Sequence, residues 1–287
     1  MASKGRQFKD LMNAPEILIQ PGIYDGYTAR LVERSGFKAA SISGAGVSES
    51  RMGWVDRGVM TFDENLANAR RLADCTDRLL MRADADTGYG NAMTVHFVVR
   101  AFEKAGMAAL MFEDQVWPKR CGHMAGKQLM PPERMEANLR AVSGERMRPD
   151  TFIIARTDAR ELHGLDEALR RGERYLRAGA DGLFIEAPAS LEELARIGGA
   201  FAGVPQLANM LEGGRTPLLP PSELGQLGFS MAIYGISLLM HATHAMQGVL
   251  AELARGEVGF AGRGVGFEEY KDIVGVERWS RIEATYG

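Results

Sequence analysis

The chain has 287 residues, 46% of them hydrophobic and 25% charged, with a formal net charge of −3. That is ample apolar material for one large domain or two small ones, and the near-neutral balance gives no footing for a nucleic-acid partner or an anionic membrane surface. No apolar run reaches the roughly 18 residues of a membrane span; residues 1–9 carry Lys4, Arg6 and Lys9 without the apolar stretch of a signal peptide, and two cysteines make no disulfide framework, so a reducing cytoplasm is the expected setting.

In chain order, one phrase recurs: a helical run, a glycine, then a short apolar run. It reads Ser35-Gly36-Phe37 before 39–43, Ala105-Gly106-Met107 before 108–112, Ala178-Gly179-Ala180 before 182–186, and Leu227-Gly228-Phe229 before 230–234. Glycine takes the left-handed C-terminal cap of a helix cheaply. Helix, cap, short loop and buried strand make the αβ half of a parallel βαβ unit. Extending the pattern predicts eight strands, ending near Gln20, Ser43, Ala83, Phe112, Arg156, Glu186, Asn209 and Tyr234. Helices are expected at 27–34, 61–72, 94–104, 132–142, 165–177, 191–197 and 222–227. Thr61 with Glu64, and Ser190 with Glu193, have capping-box spacing. Eight evenly spaced repeats predict an α/β fold, a (β/α)8 TIM-type barrel, over residues 1–255. A doubly wound open sheet is the alternative, but Gly22 and Gly26 do not make its phosphate fingerprint. Residues 256–287 are surplus to eight repeats and read as a C-terminal helical tail, with a short helix from about Phe267, packed on a neighbouring subunit.

Chemistry in such a barrel sits at the carboxyl ends of the strands, and here nearly every strand releases polar residues there. Asp84 and Asp86 lie two apart, so on an extended chain they point the same way. With Glu113 they form an oxygen-rich nest suited to a hard cation, Mg²⁺ or Mn²⁺; capping the following loop is the other use for the two aspartates. Arg156 offers a bidentate fork to a substrate carboxylate, or an ion pair to Glu186. Backbone N–H groups around Ser43, Gly44 and Ala45 could hold a second carboxylate. Cys121 stands in a loop with Lys119, Arg120 and His123, cations that favour thiolate, and Gly122 and Gly126 let that loop move as a lid. A solvated basic loop that happens to hold a cysteine would look the same. Cys75, at a helix end, reads as filler.

Together, Asp84-Ala85-Asp86-x-Gly88-Tyr89-Gly90, Glu113-Asp114-Gln115, Lys119-Arg120-Cys121-Gly122-His123, Ile154-Ala155-Arg156-Thr157-Asp158-Ala159 and Leu207-Ala208-Asn209-Met210-x-Glu212-Gly213-Gly214-x-Thr216-Pro217 resemble the isocitrate lyase/phosphoenolpyruvate mutase superfamily, over residues 8–237. Within it the nearest patterns are the 2-methylisocitrate lyases, the 2,3-dimethylmalate and petal-death-type lyases, and the carboxyphosphonoenolpyruvate phosphonomutase. The resemblance implies Mg²⁺ and a homotetramer made from dimers that exchange a C-terminal helix. It implies that Cys121 protonates the departing enolate, and it adds Asp56 to the metal-site candidates. The chain departs from the family's pattern at Trp54, Val55, Gly235 and Ser41; Trp54 and Gly235 are expected to shape the substrate pocket.

These residues suit a Mg²⁺-dependent carbon–carbon lyase that cleaves a 2-hydroxy di- or tricarboxylate, of 2-alkylmalate or 2-methylisocitrate type, to a 2-oxoacid and a carboxylic acid. The metal (Asp84, Asp86, Glu113, Asp56) and the nest at Ser43, Gly44 and Ala45 would hold the 2-hydroxyacid end. Arg156, Glu186 and Asn209 would orient the other end. Tyr24, a metal-bound water or a residue near the metal would take the hydroxyl proton, and Cys121, beside His123, would supply one to carbon. A phosphonomutase-type transferase would use the same metal and nest. A barrel that binds a carboxylate without turning it over is the third reading.

Overall fold

The computed structural model describes residues 2–122 and 124–287. Eight parallel strands close in sequence order, with β8 returning to β1: β1 (Leu18–Ile23), β2 (Ala39–Ile42), β3 (Leu80–Asp84), β4 (Ala109–Glu113), β5 (Phe152–Thr157), β6 (Gly182–Ile185), β7 (Gln206–Asn209) and β8 (Met231–Tyr234). Helix α1 (Lys4–Met12) precedes them. Between strands lie α2 (Gly26–Arg34), α3 (Gly44–Val47), α4 (Phe62–Asp74), α5 (Ala92–Lys104), α6 (Pro132–Glu145), α7 (Ala159–His163), α8 (Leu165–Arg177), α9 (Leu191–Ala200) and α10 (Pro221–Gln226). After β8 come α11 (Ser237–Ala254), α12 (Phe267–Val274) and α13 (Val276–Tyr286). The predicted (β/α)8 barrel is the fold of this chain.

The local signals act as expected. Gly36, Gly106, Gly179 and Gly228 have φ of +85°, +86°, +107° and +98°, so each recurring glycine ends its helix in the left-handed region. Thr61 and Glu64 form a reciprocal capping box at the start of α4. Ser190 caps α9 by accepting from Glu193 N at 3.1 Å, but Glu193 turns its carboxylate to Arg160 at 2.8 Å, so only half of that box forms. The first strand runs three residues beyond its expected end, through Pro21 and Gly22 to Ile23.

Leu18, Ala39, Leu80, Phe152, Ile154, Leu207 and Met231 fill the barrel interior. Phe8 and Met12 of α1 plug its amino end, and the Phe8 ring lies 5.5 Å from that of Phe152. Burying a side chain of that size stabilises by about 1.5–3 kcal/mol, which gives the unanticipated α1 its reason to form. After β8 the chain behaves differently. None of the residues of α11 is buried, and Leu238, Met246, Leu250 and Leu253 are exposed along it. Beside it, an apolar groove of about 550 Å³ runs along β1 and α2, lined by Ile19, Tyr27, Leu31 and Phe37. The tail, expected on a neighbour, begins by returning to its own barrel: Tyr270 of α12 stacks on Tyr27 at 6.0 Å, and Asp272 pairs with Arg34 at 2.6 Å. No helix among the described residues is long and apolar enough to cross a membrane.

Candidate active site

A cavity of about 80 Å³ opens at the carboxyl ends of the strands. Ser43, Gly44, Ala45, Asp84, Arg156, Glu186, Asn209 and Gly235 wall it, while Asp56, Lys119, Cys121 and Gly122 lie over it. One residue pair deeper in the strands, Ser41, Arg82, Met111, Phe184 and Ile233 form its floor. The volume is small beside the roughly 300–1,000 Å³ of pockets for drug-sized ligands; it suits a short acid.

The acids gather on a cation that the chain itself supplies. Lys119 Nζ lies 2.8 Å from Asp56 Oδ1 and 2.9 Å from Asp86 Oδ1, with all three side chains buried. Burial opposes its charge, but Asp86, Asp56, Glu113 and Asp84 outweigh that and hold the ammonium well above the ordinary lysine value. Asp86 does not reach this point by strand parity. β3 ends at Asp84, and Asp86 has φ of +47°, a turn that brings it under Lys119 and receives the Tyr89 hydroxyl at 2.6 Å. Burial, opposed by Lys119, pushes its carboxyl up to about 6. Gly44 packs closely beside Asp84: a Cβ there would lie 3.1 Å from Asp84 Oδ2 and 3.6 Å from Lys119 Nζ.

Whether these groups fit a hard cation turns on Glu113. It is fully buried at the end of β4, and neither carboxylate oxygen accepts a hydrogen bond; Arg156 Nε stands 3.4 Å away. Burial, ahead of the lowering by Arg156 and Lys119, raises its carboxyl well above the usual range. Around the cavity, the six acids Asp56, Asp84, Asp86, Glu113, Asp158 and Glu186 outnumber the four cations Arg82, Lys119, Lys127 and Arg156. Orphaned buried oxygens in an acid-rich, oxygen-only set fit Mg²⁺ or Mn²⁺. Among the described residues no three carboxylates converge closely enough to cage an ion unaided, as suits an ion that keeps several of its waters.

Arg156 lines the cavity, and the Nε and Nη2 of its fork are engaged within the protein. Nε and Nη2 donate to Asp158 at 2.9 and 3.0 Å, Nη2 also pairs with Glu186 at 3.2 Å, and the guanidinium lies 5.3 Å from the centre of the Phe184 ring. Burial disfavours the Asp158 charge, but Arg156 and then Lys127 prevail and hold its carboxyl down at about 2. The anion nest is also smaller than expected. Ser43 N donates to Ile23 O at 3.2 Å and Gly46 N to Ser43 Oγ at 3.0 Å, leaving the Gly44 and Ala45 amides as the candidates for a ligand.

The segment carrying Cys121 is held down at both ends. Gln115 pairs with Leu129, Val116 N donates to Gln128 O at 2.7 Å, and Gln115 exchanges two hydrogen bonds with the Arg120 backbone at 2.8 and 2.9 Å. Buried Lys127 donates to Gly122 O and pairs with Asp158 at 2.9 Å and Glu161 at 2.7 Å. Gly122 is pressed onto the site: a Cβ there would fall 2.6 Å from Arg156 Nη2. Cys121 N donates to Asp56 O at 3.1 Å, tying the thiol-bearing turn to the acids.

Beneath this segment Asp114 accepts four hydrogen bonds, from the end of β5 and from α8. Its Oδ2 accepts from Thr157 Oγ1 at 2.7 Å, Tyr175 Oη at 2.8 Å and Arg171 Nη1 at 2.9 Å, and its Oδ1 from Asp158 N at 3.1 Å. Asp114→Ala leaves the Thr157 and Tyr175 hydroxyls and the Asp158 N–H without their acceptor and Arg171 with Glu167 as its remaining carboxylate, so unfolding in urea is expected to show a loss of about 1–3 kcal/mol; a loss under about 1 kcal/mol would show that the network relaxes.

Several sequence-derived assignments change. Tyr24 does not line the cavity; it lines the apolar groove beside α11, because β1 continues to Ile23 and Asp25 already caps α2. Trp54 is 40% exposed and outside the cavity, held there by backbone bonding to Ser48 at 3.1 Å, whereas Gly235 does line it. His123 lies outside the described residues. Lys119, which lines the cavity with Cys121, pairs with Asp56 and Asp86, and Arg120 Nη1 donates to the Ala125 carbonyl at 3.1 Å. Cys75 is structural, its Sγ 3.2 Å from Leu72 O, and burial pushes its thiol up. Sequence reasoning missed Lys127 and Arg82. Arg82 is 1% exposed, and burial draws it down to about 10. Its signal was an arginine inside the apolar run Leu79-Leu80-Met81-Arg82-Ala83.

Comparison with known proteins places the chain in a family. The phosphoenolpyruvate phosphomutase family model matches residues 8–254. A 2,3-dimethylmalate lyase of Eubacterium barkeri is 41% identical over 282 residues, 98% of this chain and 97% of that protein. A 2-methylisocitrate lyase of Bacillus subtilis (strain 168) is 39% identical over 241 residues, 84% of this chain and 78% of that protein. A crystal structure of 2,3-dimethylmalate lyase, described as a PEP mutase/isocitrate lyase superfamily member, superposes with a TM-score of 0.94 at 32% identity, covering 100% of this chain and 96% of that one. A phosphonopyruvate hydrolase in complex with oxalate and Mg²⁺ superposes with a TM-score of 0.89 at 26% identity, each chain covered to 99%.

Proposed function

The chain belongs to the phosphoenolpyruvate mutase/isocitrate lyase superfamily and is one of its carbon–carbon lyases, and we propose that it cleaves a short 2-hydroxy di- or tricarboxylate, of the 2-alkylmalate or 2-methylisocitrate type, with a hard divalent cation. The observation that carries this reading is the meeting of Cys121, Asp84, the Ser43 turn and Arg156 around one small covered cavity. Glu113, Asp84 and Asp86, with Asp56 beside them, would hold Mg²⁺ or Mn²⁺ directly or through its waters. When bound, the ion supplies positive charge to the oxygens of the 2-hydroxyacid end.

This chain's own groups do the rest. The Gly44 and Ala45 amides orient the carboxylate of that end, and Glu186 and Asn209 shape the wall beside it. With Tyr24 turned away, an acid next to Lys119 takes the hydroxyl proton. The bond between C2 and C3 breaks, leaving a 2-oxoacid, and its electron pair passes to C3 and the carboxylate attached there. Cys121, lying over the cavity, gives its thiol proton to C3, while the segment tied down by Gln115 and Lys127 keeps water from doing so. Incubation with 2-alkylmalates and 2-methylisocitrate should release a 2-oxoacid from at least one of them; release from none would remove the reading.

The assembly we propose is a homotetramer whose dimers exchange C-terminal helices. It is supported by the exposed apolar side chains of α11 and by the neighbouring groove that α11 of its own chain leaves open. Light scattering should give four times the 31.3 kDa chain mass, and a stable monomer would contradict it. Neither cysteine is in a disulfide, as suits a reducing cytoplasm.

A further inference from the structure

The cavity holds two buried guanidiniums, and they are in opposite situations. Arg156 is enclosed by Asp158, Glu186 and Glu113. Arg82, on β3, is 1% exposed, and among the described residues it makes no ion pair with a carboxylate. Its Nη2 donates to the Ser41 hydroxyl on the neighbouring strand, its Nη1 lies 3.3 Å from the Met111 sulfur, and its Nε has no acceptor. A neutral hydroxyl and a thioether are weak company for a buried cation; Asp84, two residues along β3, favours its charge without forming an ion pair with it, and a buried cation without a paired anion is costly. The side chains that share the floor with it, Met111, Phe184 and Ile233, are apolar. Another apolar residue would pack there without that cost.

We propose that Arg82, with Ser41, is an anion seat on the floor of the cavity, and that it receives a carboxylate of the substrate other than the one at the 2-hydroxyacid end. A planar fork with an unused N–H matches a carboxylate in shape and charge, and the small cavity keeps the arm that bears it short. The inference rests on the lyase reading for which end of the substrate reaches the floor, and it deepens it: the substrate is chosen for an anionic arm, not an alkyl one, at this position. Arg82 acts as a specificity residue.

Succinate and butyrate test this without turnover, because neither carries the hydroxyl the reaction needs and they differ only by a carboxylate against a methyl at one end. Their affinities are measured by calorimetric titration in Mg²⁺-containing buffer for the wild-type protein, Arg82→Met and Arg82→Lys. Wild type should favour succinate by roughly 10–10²-fold. Arg82→Met should erase the preference while melting at or above the wild-type temperature, and Arg82→Lys should keep part of it. A preference that survives in Arg82→Met, or is missing in wild type, overturns the seat. So does a large fall in melting temperature in Arg82→Met, which would make the guanidinium a structural group. If the preference depends on Arg82 but no 2-hydroxy acid yields a 2-oxoacid, the seat stands and the lyase reading falls.

Discussion

Cys121→Ser is expected to lower kcat by about 10²–10⁴, the range for losing a general acid. Serine keeps the size of the side chain but holds its proton far more tightly than a thiol does, so protonation of C3 becomes slow while binding is preserved. The turn itself should stay in place. It is fastened by Gln115 to the Arg120 backbone, by Lys127 to Gly122 and by Cys121 N to Asp56 O, and none of these uses the sulfur. The melting temperature and the KM should therefore hardly move. Steady-state kinetics on the best substrate measures the split, and wild-type kcat in the serine variant would remove Cys121 as the proton donor.

Removing divalent metal with a chelator should abolish turnover, and Mg²⁺ or Mn²⁺ should restore it. The buried oxygens of Glu113 accept no hydrogen bond, and acids outnumber cations around the cavity. A buried carboxylate without donors is too costly to keep ionised unless a cation stands near it. Lys119 pairs with Asp56 and Asp86, and Arg156, 3.4 Å from Glu113, donates its hydrogen bonds to Asp158, so Glu113 is left with no donor of its own. Oxygen ligands select hard ions, so Zn²⁺ should restore less activity than Mg²⁺. Full activity in chelated, metal-free protein would contradict the metal site.

The barrel was readable because its signals are local. Each glycine cap sits next to its helix, and each inner strand is a short apolar run whatever the rest of the chain does. Helix α1 carries too few apolar residues to announce itself; Phe8 matters only once a barrel exists for it to plug. Strand-end polarity also located the site, bringing Ser43, Asp84, Arg156, Glu186, Asn209 and the Cys121 segment to one cavity. What stayed hidden depends on small changes of path. Three extra residues in β1 leave Tyr24 squeezed between strand and cap, facing the outer groove. The bonds of Trp54 to Ser48 keep the indole outside the cavity. Lys119 was read for the thiol alone, and its pairing with Asp86 depends on the left-handed turn there, which no strand parity reveals. For Arg156 both readings were open, and its fork goes chiefly to Asp158, a residue whose part in the site no spacing rule revealed.

The central claim is cleavage of the bond between C2 and C3 of a 2-hydroxy acid with Cys121 as the source of the new proton. Carbon-13 NMR of a cleavable labelled 2-alkylmalate, incubated with protein and Mg²⁺ in deuterated water, tests it most directly. The account predicts one 2-oxoacid and one carboxylic acid in equal amounts, with one deuteron on the carbon that was C3. A phosphonomutase without lyase activity would leave the alkylmalate intact, and intact substrate across the 2-alkylmalates and 2-methylisocitrate, with metal present, would contradict the account.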